Sequence, residues 1–343
     1  MSNIQNNSLD NHHRISIILS PAKTLDLTLL SDRIFAHQEV NADVVAKLSN
    51  EYCMSESCDK AKTEIIVKAM KRRSETELKS LLKLSPALAK TSHEHWSAFK
   101  SSKVASNYFA LFTFSGPAFQ QGIIPQNCDL PTLTYLARHL YILDPVYGVL
   151  RSMERIQPYR LEMGCKGVIE EGGPSTKKES LSSFWKESIT EYMRNQMTPT
   201  SSVDCGSILV NLASDEYSSS IDILSLPRNT IFLNVLFRHK GRVVAVHAKR
   251  ARGLMARYLA EQDAQSLSDV SEFGLEGYRC VAVGESGNGS KQLWETVNVV
   301  GENIRVVQML FDRDDVPGPP SMAKTKRKDD DTECNSDKRI RSK

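Results

Sequence analysis

The sequence predicts an α+β fold: a mixed sheet with packed helices in a single large domain over residues 14–313, with a candidate helix-hairpin-helix element at about 131–163. Three observations predict it. Short apolar runs of strand length alternate with long stretches of helical periodicity, which calls for layers of sheet and helix. Some of those runs are separated by helices and others by Gly-containing turns, so the sheet has to hold both crossover and hairpin connections. The flanks carry neither pattern. Residues 1–13, MSNIQNNSLDNHH, read as a disordered polar leader, and from Asp314 the chain turns Pro-Gly-rich and then Lys-Asp-rich, a composition that cannot build a core.

RISIILS (14–20) is an isoleucine-rich run that reads as a buried strand ending at the Ser20-Pro21 turn. From about Val40 to Lys100 the spacing is helical, with Pro86 the main breaker, and TFSGPAFQ (113–120) holds a Gly-Pro turn. Leu133, Leu136, Ala137, Leu140 and Tyr141 share one helical face, with Pro131 near the first helical position. GVIEEGGPSTKKES (167–180) is a polar loop and LSSFWKESITEYM (181–193) a helix. SILVNLAS (207–214) reads as a strand, and NTIFLNVLFRHKGRVVAVHA (229–248) as two strands turning at His239–Gly241. A second hairpin is expected in 281–300, around its Gly/Ser/Asn turn.

Hydrophobic residues make up 40% of the 343 and charged residues 25%, ordinary for a soluble globular protein. No apolar run is long enough to span a bilayer, and the leader lacks both a secretory signal and a mitochondrial transit pattern, so a cytoplasmic protein is expected. Seven irregularly spaced cysteines point to a reducing compartment and free thiols. Cys53 and Cys58 with His93 and His95 fit no standard zinc spacing, and neither a metal nor a cofactor is predicted. The net charge of +3 lies wholly in the tail, where eight Lys or Arg face five Asp or Glu from Lys324 onward. The body is formally neutral, so any affinity for a polyanion must come from local clusters.

Four clusters could carry chemistry. Ser20-Pro21-Ala22-Lys23-Thr24 follows a strand end, where α/β proteins place ligand loops. It lacks the glycines of a P-loop and reads equally as a turn with a solvated lysine. In LDPVYGVLRSMERIQPYRLEMG (143–164) a helix, a Gly-containing hairpin and a second helix bearing Arg151 and Arg155 on one face would make a phosphate grip, or an ordinary helical corner with a basic face. NLASDEY (211–217) ends a strand in Asp215 and Glu216, of which one could enter a site as a general base or cation partner, or merely cap a turn. HAKRARG (247–253) places Lys249, Arg250 and Arg252 where a strand hands over to a helix N-terminus, an end that repels cations. If the strands are neighbours, the lysine, carboxylate and arginine loops gather on one sheet edge.

ILSPAKTLD (18–26), VYGVLRSMERIQPYRLEMG (146–164), FWKESIT (184–190), ILVNLASDEY (208–217) and AKRARGLMARYL (248–259) together resemble the YaaA family of peroxide-stress proteins, in family order over roughly Ile15 to Tyr278. The resemblance implies resistance to hydrogen peroxide by limiting iron-dependent DNA damage, and a mixed α/β body with a helix-hairpin-helix. It also implies DNA binding at a positively charged cleft, with no established reaction. It marks Lys23, Asp215 and Glu216, which an enzyme reading of the strand-end loops takes as candidate catalytic residues, and Tyr147, Gly148, Arg151, Arg160, Lys249, Arg250 and Arg252, taken as DNA- or phosphate-binding. Asp144-Pro145-Val146 stands where the family has Ser-Gly-Leu, and Ser152 where it has Pro. Both changes weaken the case for the hairpin grip.

A DNA-binding protein of the oxidative-stress response is therefore expected. The alternative is an enzyme acting on DNA or a phosphorylated ligand, glycosylase- or lyase-like, through Lys23 and the Asp215/Glu216 pair. An iron-handling protein ranks last, because too few ligands cluster. The tail pairs KR (326–327) with KRIR (338–341), the form of a two-part nuclear import signal and equally that of a charged disordered tail.

Overall fold

Ile15 through Leu19 are each no more than 2 % exposed in the computed structural model, which describes residues 14–53, 58–100, 106–169, 179–198, 206–281, 283–284, 291–292, 295–298 and 304–314. Burial on both faces is the condition of a central parallel strand, and it is why this run is continuously apolar rather than alternating. This strand, β1 (Arg14–Leu19), lies between β3 (Leu140–Asp144) and β6 (Ser207–Leu212), parallel to both. Beyond β6 come β7 (Thr230–His239) and β12 (Arg305–Arg313), also parallel, giving the order β12-β7-β6-β1-β3. Antiparallel strands finish this eight-stranded sheet: β4 (Gly148–Arg151) on β3, and β8 (Arg279–Val281) and β11 (Glu295–Asn298) on β12. Two small ribbons stand apart, β2 (Tyr108–Phe109) with β5 (Arg155–Ile156), and β9 (Val283–Gly284) with β10 (Lys291–Gln292).

The expected helical stretch holds α1 (Ala42–Tyr52), α2 (Lys60–Lys71), α3 (Glu75–Leu82) and α4 (Pro86–Ala98). Each starts on a capping side chain, Asn41, Asp59, Ser74 or Ser85, that accepts the N–H three residues on, and such a cap stabilises by about 1 kcal/mol. Next come α5 (Ala110–Thr113), a π-helical turn (Pro117–Ile123), α6 (Leu130–His139), α7 (Leu181–Met197), α8 (Asp215–Ser218), α9 (Ala245–Glu261) and α10 (Leu267–Ser271). One apolar core runs from Ile15 to Phe311. Among the described residues no helix is long and apolar enough to cross a membrane. The polar leader, the polar loop of 170–178 and the tail beyond Asp314, import motif included, lie outside the described residues.

The connections that leave β1 and β6 run in opposite directions. The chain from β1 reaches β3 on one side through α1 to α6, whereas the chain from β6, on the other side of β1, goes on to β7, farther from β1. Where successive connections diverge, the loops at the carboxyl ends separate and leave a crevice. In this sheet the crevice falls between the ends of β1 and β6, above Leu19 and Leu212.

The helix-hairpin-helix expectation is overturned. Its first helix, α6, ends at His139, and residues 140–144 and 148–151 pair as a β-hairpin closed by Asp144 opposite Gly148. Leu140 to Leu143, Val149 and Leu150 are all buried, which a one-faced helix cannot achieve. Pro145 holds the preceding residue extended, and Gly148 takes φ +75° in the turn. Arg151 and Arg155 therefore do not share a helix face: Arg155 lies in β5, donates to the Ser106 carbonyl at 2.7 Å and covers the Phe109 ring. The buried Asp144 carboxylate accepts the Val146 and Tyr147 N–H groups at 2.8 and 2.9 Å and the Tyr159 hydroxyl. Ser152 also has a use a proline could not serve, its N–H donating to Leu140 O at 3.2 Å.

GRVVAVH is likewise not a strand. The turn after β7 is where it was expected, at Lys240-Gly241 with φ of 51° and 72°, but α9 begins at Ala245. The valine alternation suggested a pleat, yet Val243 and Val246 are 69% and 59% exposed. The buried phase is helical and built from small residues, with Ala248, Ala251, Met255 and Leu259 inward. The Gly-Pro turn of 113–120 opens the π-helical turn, which sequence periodicity did not suggest. The later hairpin is present as β9 and β10, its connecting turn lying outside the described residues.

Two stability outcomes follow. A Cβ on Gly253 would sit 1.9 Å from the Ala118 carbonyl oxygen, so Gly253→Ala should lower the unfolding free energy by about 3 kcal/mol, read from the urea midpoint. Asp144→Ala strands two amide donors and a hydroxyl in the core. It should cost about 3 kcal/mol or more, and an unchanged midpoint would contradict the capping role.

Candidate functional site

The crevice at the β1 and β6 ends is a cavity of about 390 Å³. Its floor is set by a serine pair, one from each strand end. Ser214 N–H donates to Ser20 Oγ at 2.9 Å, and the two hydroxyl oxygens lie 3.3 Å apart. One wall is the 20–24 loop, fixed by Ser115 N–H donating to Thr24 O at 2.9 Å and Thr24 Oγ1 donating to Ser115 O at 2.6 Å. A second wall is the start of the π-helical turn, Gly116 to Phe119, and a third is α9, which contributes Lys249 and Arg252. Tyr217 and Glu216 close the side.

Glycines let α9 reach this position. A Cβ on Gly122 would lie 2.7 Å from both Arg250 O and Gly253 Cα, and one on Gly253 would overlap Ala118. Backbone therefore packs on backbone, and the three-residue spacing of Lys249 and Arg252 puts both over the cavity. Arg250, between them, points elsewhere and pairs with Glu276. The basic triplet is thus split by helical geometry into two cavity cations and one that belongs to another cluster.

Arg252 is half-buried, its Nε is buried without a hydrogen-bond partner, and among the described residues no ion pair or hydrogen bond reaches it. Burial pulls its guanidinium below the usual pKa, and the Asp215 carboxylate, acting through space, opposes that. Asp215 and Glu216 occupy the first turn of α8 rather than a strand, so they diverge: Glu216 Oε1 accepts Gly164 N–H at 2.8 Å. Lys23 Nζ donates to Glu162 Oε2 at 2.6 Å across a largely exposed gap, an ion pair worth about 0–1 kcal/mol and readily exchanged for a ligand. Arg160 donates to Lys23 O at 3.3 Å, and its Nε too is buried without a partner.

Of the ten candidates, Lys23, Glu216, Lys249 and Arg252 line one cavity, with Asp215 and Arg160 adjoining it. The hairpin residues are not brought there. Tyr147 is buried and its hydroxyl accepts Gln157 N–H at 3.1 Å. A Cβ on Gly148 would collide with Trp185 and the Cys58 sulfur. Arg151 donates to Arg138 O at 3.1 Å and to Gln196, and lies over the Tyr141 ring. Sequence reasoning passed over Glu162, Ser214 and the Pro117 turn, although Ser20 and Ser214 stand in the quoted strand-end segments and could have been paired.

Beside the cleft, Cys165 shares a second hollow with Glu162 and Glu216. Burial first, then the Glu162 and Glu216 carboxylates against Arg73, push its thiol up to about 11. The thiolate is the reactive form toward peroxide, so at neutral pH this sulfur is a poor reductant.

The family model described as "Peroxide stress protein YaaA" matches residues 15–283. A UPF0246 protein of Psychrobacter sp. (strain PRwf-1) is 33% identical over 268 residues, covering 76% of this chain and 91% of that protein. A UPF0246 protein of Francisella philomiragia is 31% identical over 272 residues, covering 77% and 93%. The matched span contains all the strands that build the cleft and all of α9, and the chain belongs to the peroxide stress protein YaaA family.

Proposed function

We propose that this protein serves the peroxide stress response by binding DNA, with a backbone phosphate seated in the cleft between the β1 and β6 ends. The observation that carries the reading is Arg252, a half-buried guanidinium that no ion pair or hydrogen bond among the described residues reaches, over a cavity also lined by Lys23 and Lys249. An unpaired buried charge costs several kcal/mol unless an anion meets it, and a phosphate oxygen supplies both charge and hydrogen-bond acceptors. A cavity of about 390 Å³ is of small-ligand size and admits a phosphate with its nucleoside but no duplex. A strand would therefore enter by one terminal or extruded nucleotide, which favours DNA with unpaired bases. Binding of this kind fits the name of the family, and the raised Cys165 thiol gives no support to peroxide removal at this site.

One contact favours a second reading, an enzyme acting on DNA or a phosphorylated ligand. The Lys23 amine, 2.6 Å from Glu162, stands in the same cavity as Glu216, so a nucleophile and an acid/base are within one site.

Fluorescence anisotropy with single-stranded and bubble DNA should show log affinity falling linearly with log salt, each phosphate contact contributing about 0.7 to 0.9 to the slope. Arg252→Glu and Lys249→Glu should each weaken binding about tenfold or more and flatten that slope by about one contact. Absent or salt-independent binding would reject the DNA reading. For the second reading, borohydride should trap an adduct with abasic DNA in the wild-type chain and none in Lys23→Ala. No adduct in either, with DNA binding retained, would leave the binding reading alone.

A further inference from the structure

Outside the cleft, the same sheet edge carries a second cationic cluster at the ends of β7 and β12. Glu276 is its centre: Arg250 donates to Glu276 Oε1, and Arg313 Nη1 donates to Oε2 at 3.0 Å. Arg313 is held from behind, its Nε donating to His239 Nδ1 at 3.3 Å while its guanidinium covers the Tyr278 ring at 4.7 Å. The His247 ring stands edge-on to His239 at 5.0 Å, and both His247 Nδ1 and Arg250 Nε are buried without a hydrogen-bond partner. One carboxylate thus holds two guanidiniums, one of them backed by the His239–His247 ring pair. It is offered by a residue at φ 54°, ψ 30°, a left-handed conformation that costs an ordinary side chain roughly 1 kcal/mol or more. The neighbouring Gly277, at φ 76°, lets the short turn carry that kink.

Two arginines converging on the two oxygens of one carboxylate present the donor array that also grips a phosphate. We infer that Arg250 and Arg313 form an oxyanion site in which the Glu276 carboxylate is a displaceable resident, and that a phosphate group is the ligand that replaces it. Displacement frees the strained 274–277 turn to relax, and a phosphate, with more acceptor oxygens than a carboxylate, can also meet the spare Arg250 Nε donor. The site is separate from the cleft: α9 directs Arg250 away from Lys249 and Arg252, so either site can bind without the other.

The test uses the full chain with two probes, inorganic pyrophosphate followed by calorimetry and an oligonucleotide without terminal phosphates followed by anisotropy. All variants are made in an Arg252→Ala background, so that failure of the cleft reading does not affect the result. Glu276→Gln should bind at least one probe about tenfold tighter, because the state blocked by the resident carboxylate no longer competes. Glu276→Asn, which tolerates the left-handed turn, should give the same gain and covers a folding defect in the glutamine variant. Adding Arg250→Ala should abolish the gain. A gain with pyrophosphate alone assigns the site to a free phosphate, and a gain with the oligonucleotide assigns it to a strand. No gain with either probe, or a gain that survives Arg250→Ala, overturns the inference.

Discussion

The approach of α9 to the π-helical turn, backbone against backbone at Gly122 and Gly253, is the constraint on which the cleft depends. With a Cβ at either position the two segments would have to separate, because the atoms met are main-chain atoms of Ala118, Arg250 and Gly253 that no rotamer change can remove. Separation would lift Lys249 and Arg252 off the ends of β1 and β6 and open the wall formed by Gly116 to Phe119. The π-helical turn takes part for a related reason. Its wider winding presents the Ala118 carbonyl toward the helix, a departure from α-geometry of the kind found at functional sites. Packing here is prior to electrostatics, since the cations are useful only where the glycines put them.

The cations find no counter-charge in the start of their own helix. Lys249, Arg250 and Arg252 lie beyond the first turn of α9, clear of its terminal amides, and that first turn holds no acidic residue. Carboxylates come from other elements. Glu276, from the turn before β8, meets Arg250, and Asp215, from the first turn of α8, acts on Arg252 without touching it. The formally neutral body is therefore locally polar along the carboxyl edge of its parallel strands. Five strand ends supply this edge, and the topology, by sending the β1 and β6 connections apart, keeps it open.

Much of this was legible from residue order. β1 and β6 are buried on both faces, so their unbroken apolar runs identified them, and the polar segments after each run proved to share one cavity. The capped helices between 42 and 98 and the Pro131 start of α6 follow local rules that tertiary context did not override. What was not legible depended on partners distant in sequence. Leu140 and Tyr141 continue the helical spacing of α6 but become strand because β1 lies beside them. Val243, Val244 and Val246 suggest a strand yet find no pairing partner among the described residues, and the alanine phase of α9 decides instead. β12 was unassigned, although its nine residues pair with β7 along their length. The splitting of the basic triplet needed the helix rotation, which is set by the Gly122 and Gly253 contacts and the buried alanine face.

The fate of the expected hairpin grip shows how the anion-binding capacity of this fold is distributed. A helix-hairpin-helix would hold a phosphate on free hairpin amides, but here the Val146 and Tyr147 amides already hold the Asp144 carboxylate, which is buried and further tied by Tyr159. The Arg250–Arg313 pair is occupied in the same manner by Glu276, though on a strained, half-buried turn and not in the core. Internal carboxylates thus fill two of three arrangements able to hold an oxyanion, one irreversibly within the core and one exchangeably. At the third, Asp215 stays out of hydrogen-bond range and, among the described residues, the Arg252 guanidinium has no partner of its own. A protein that supplies its own anions elsewhere and leaves Arg252 without one between β1 and β6 keeps a demand for an external anion in that cleft. DNA contact, where it occurs, should begin there and not at the hairpin.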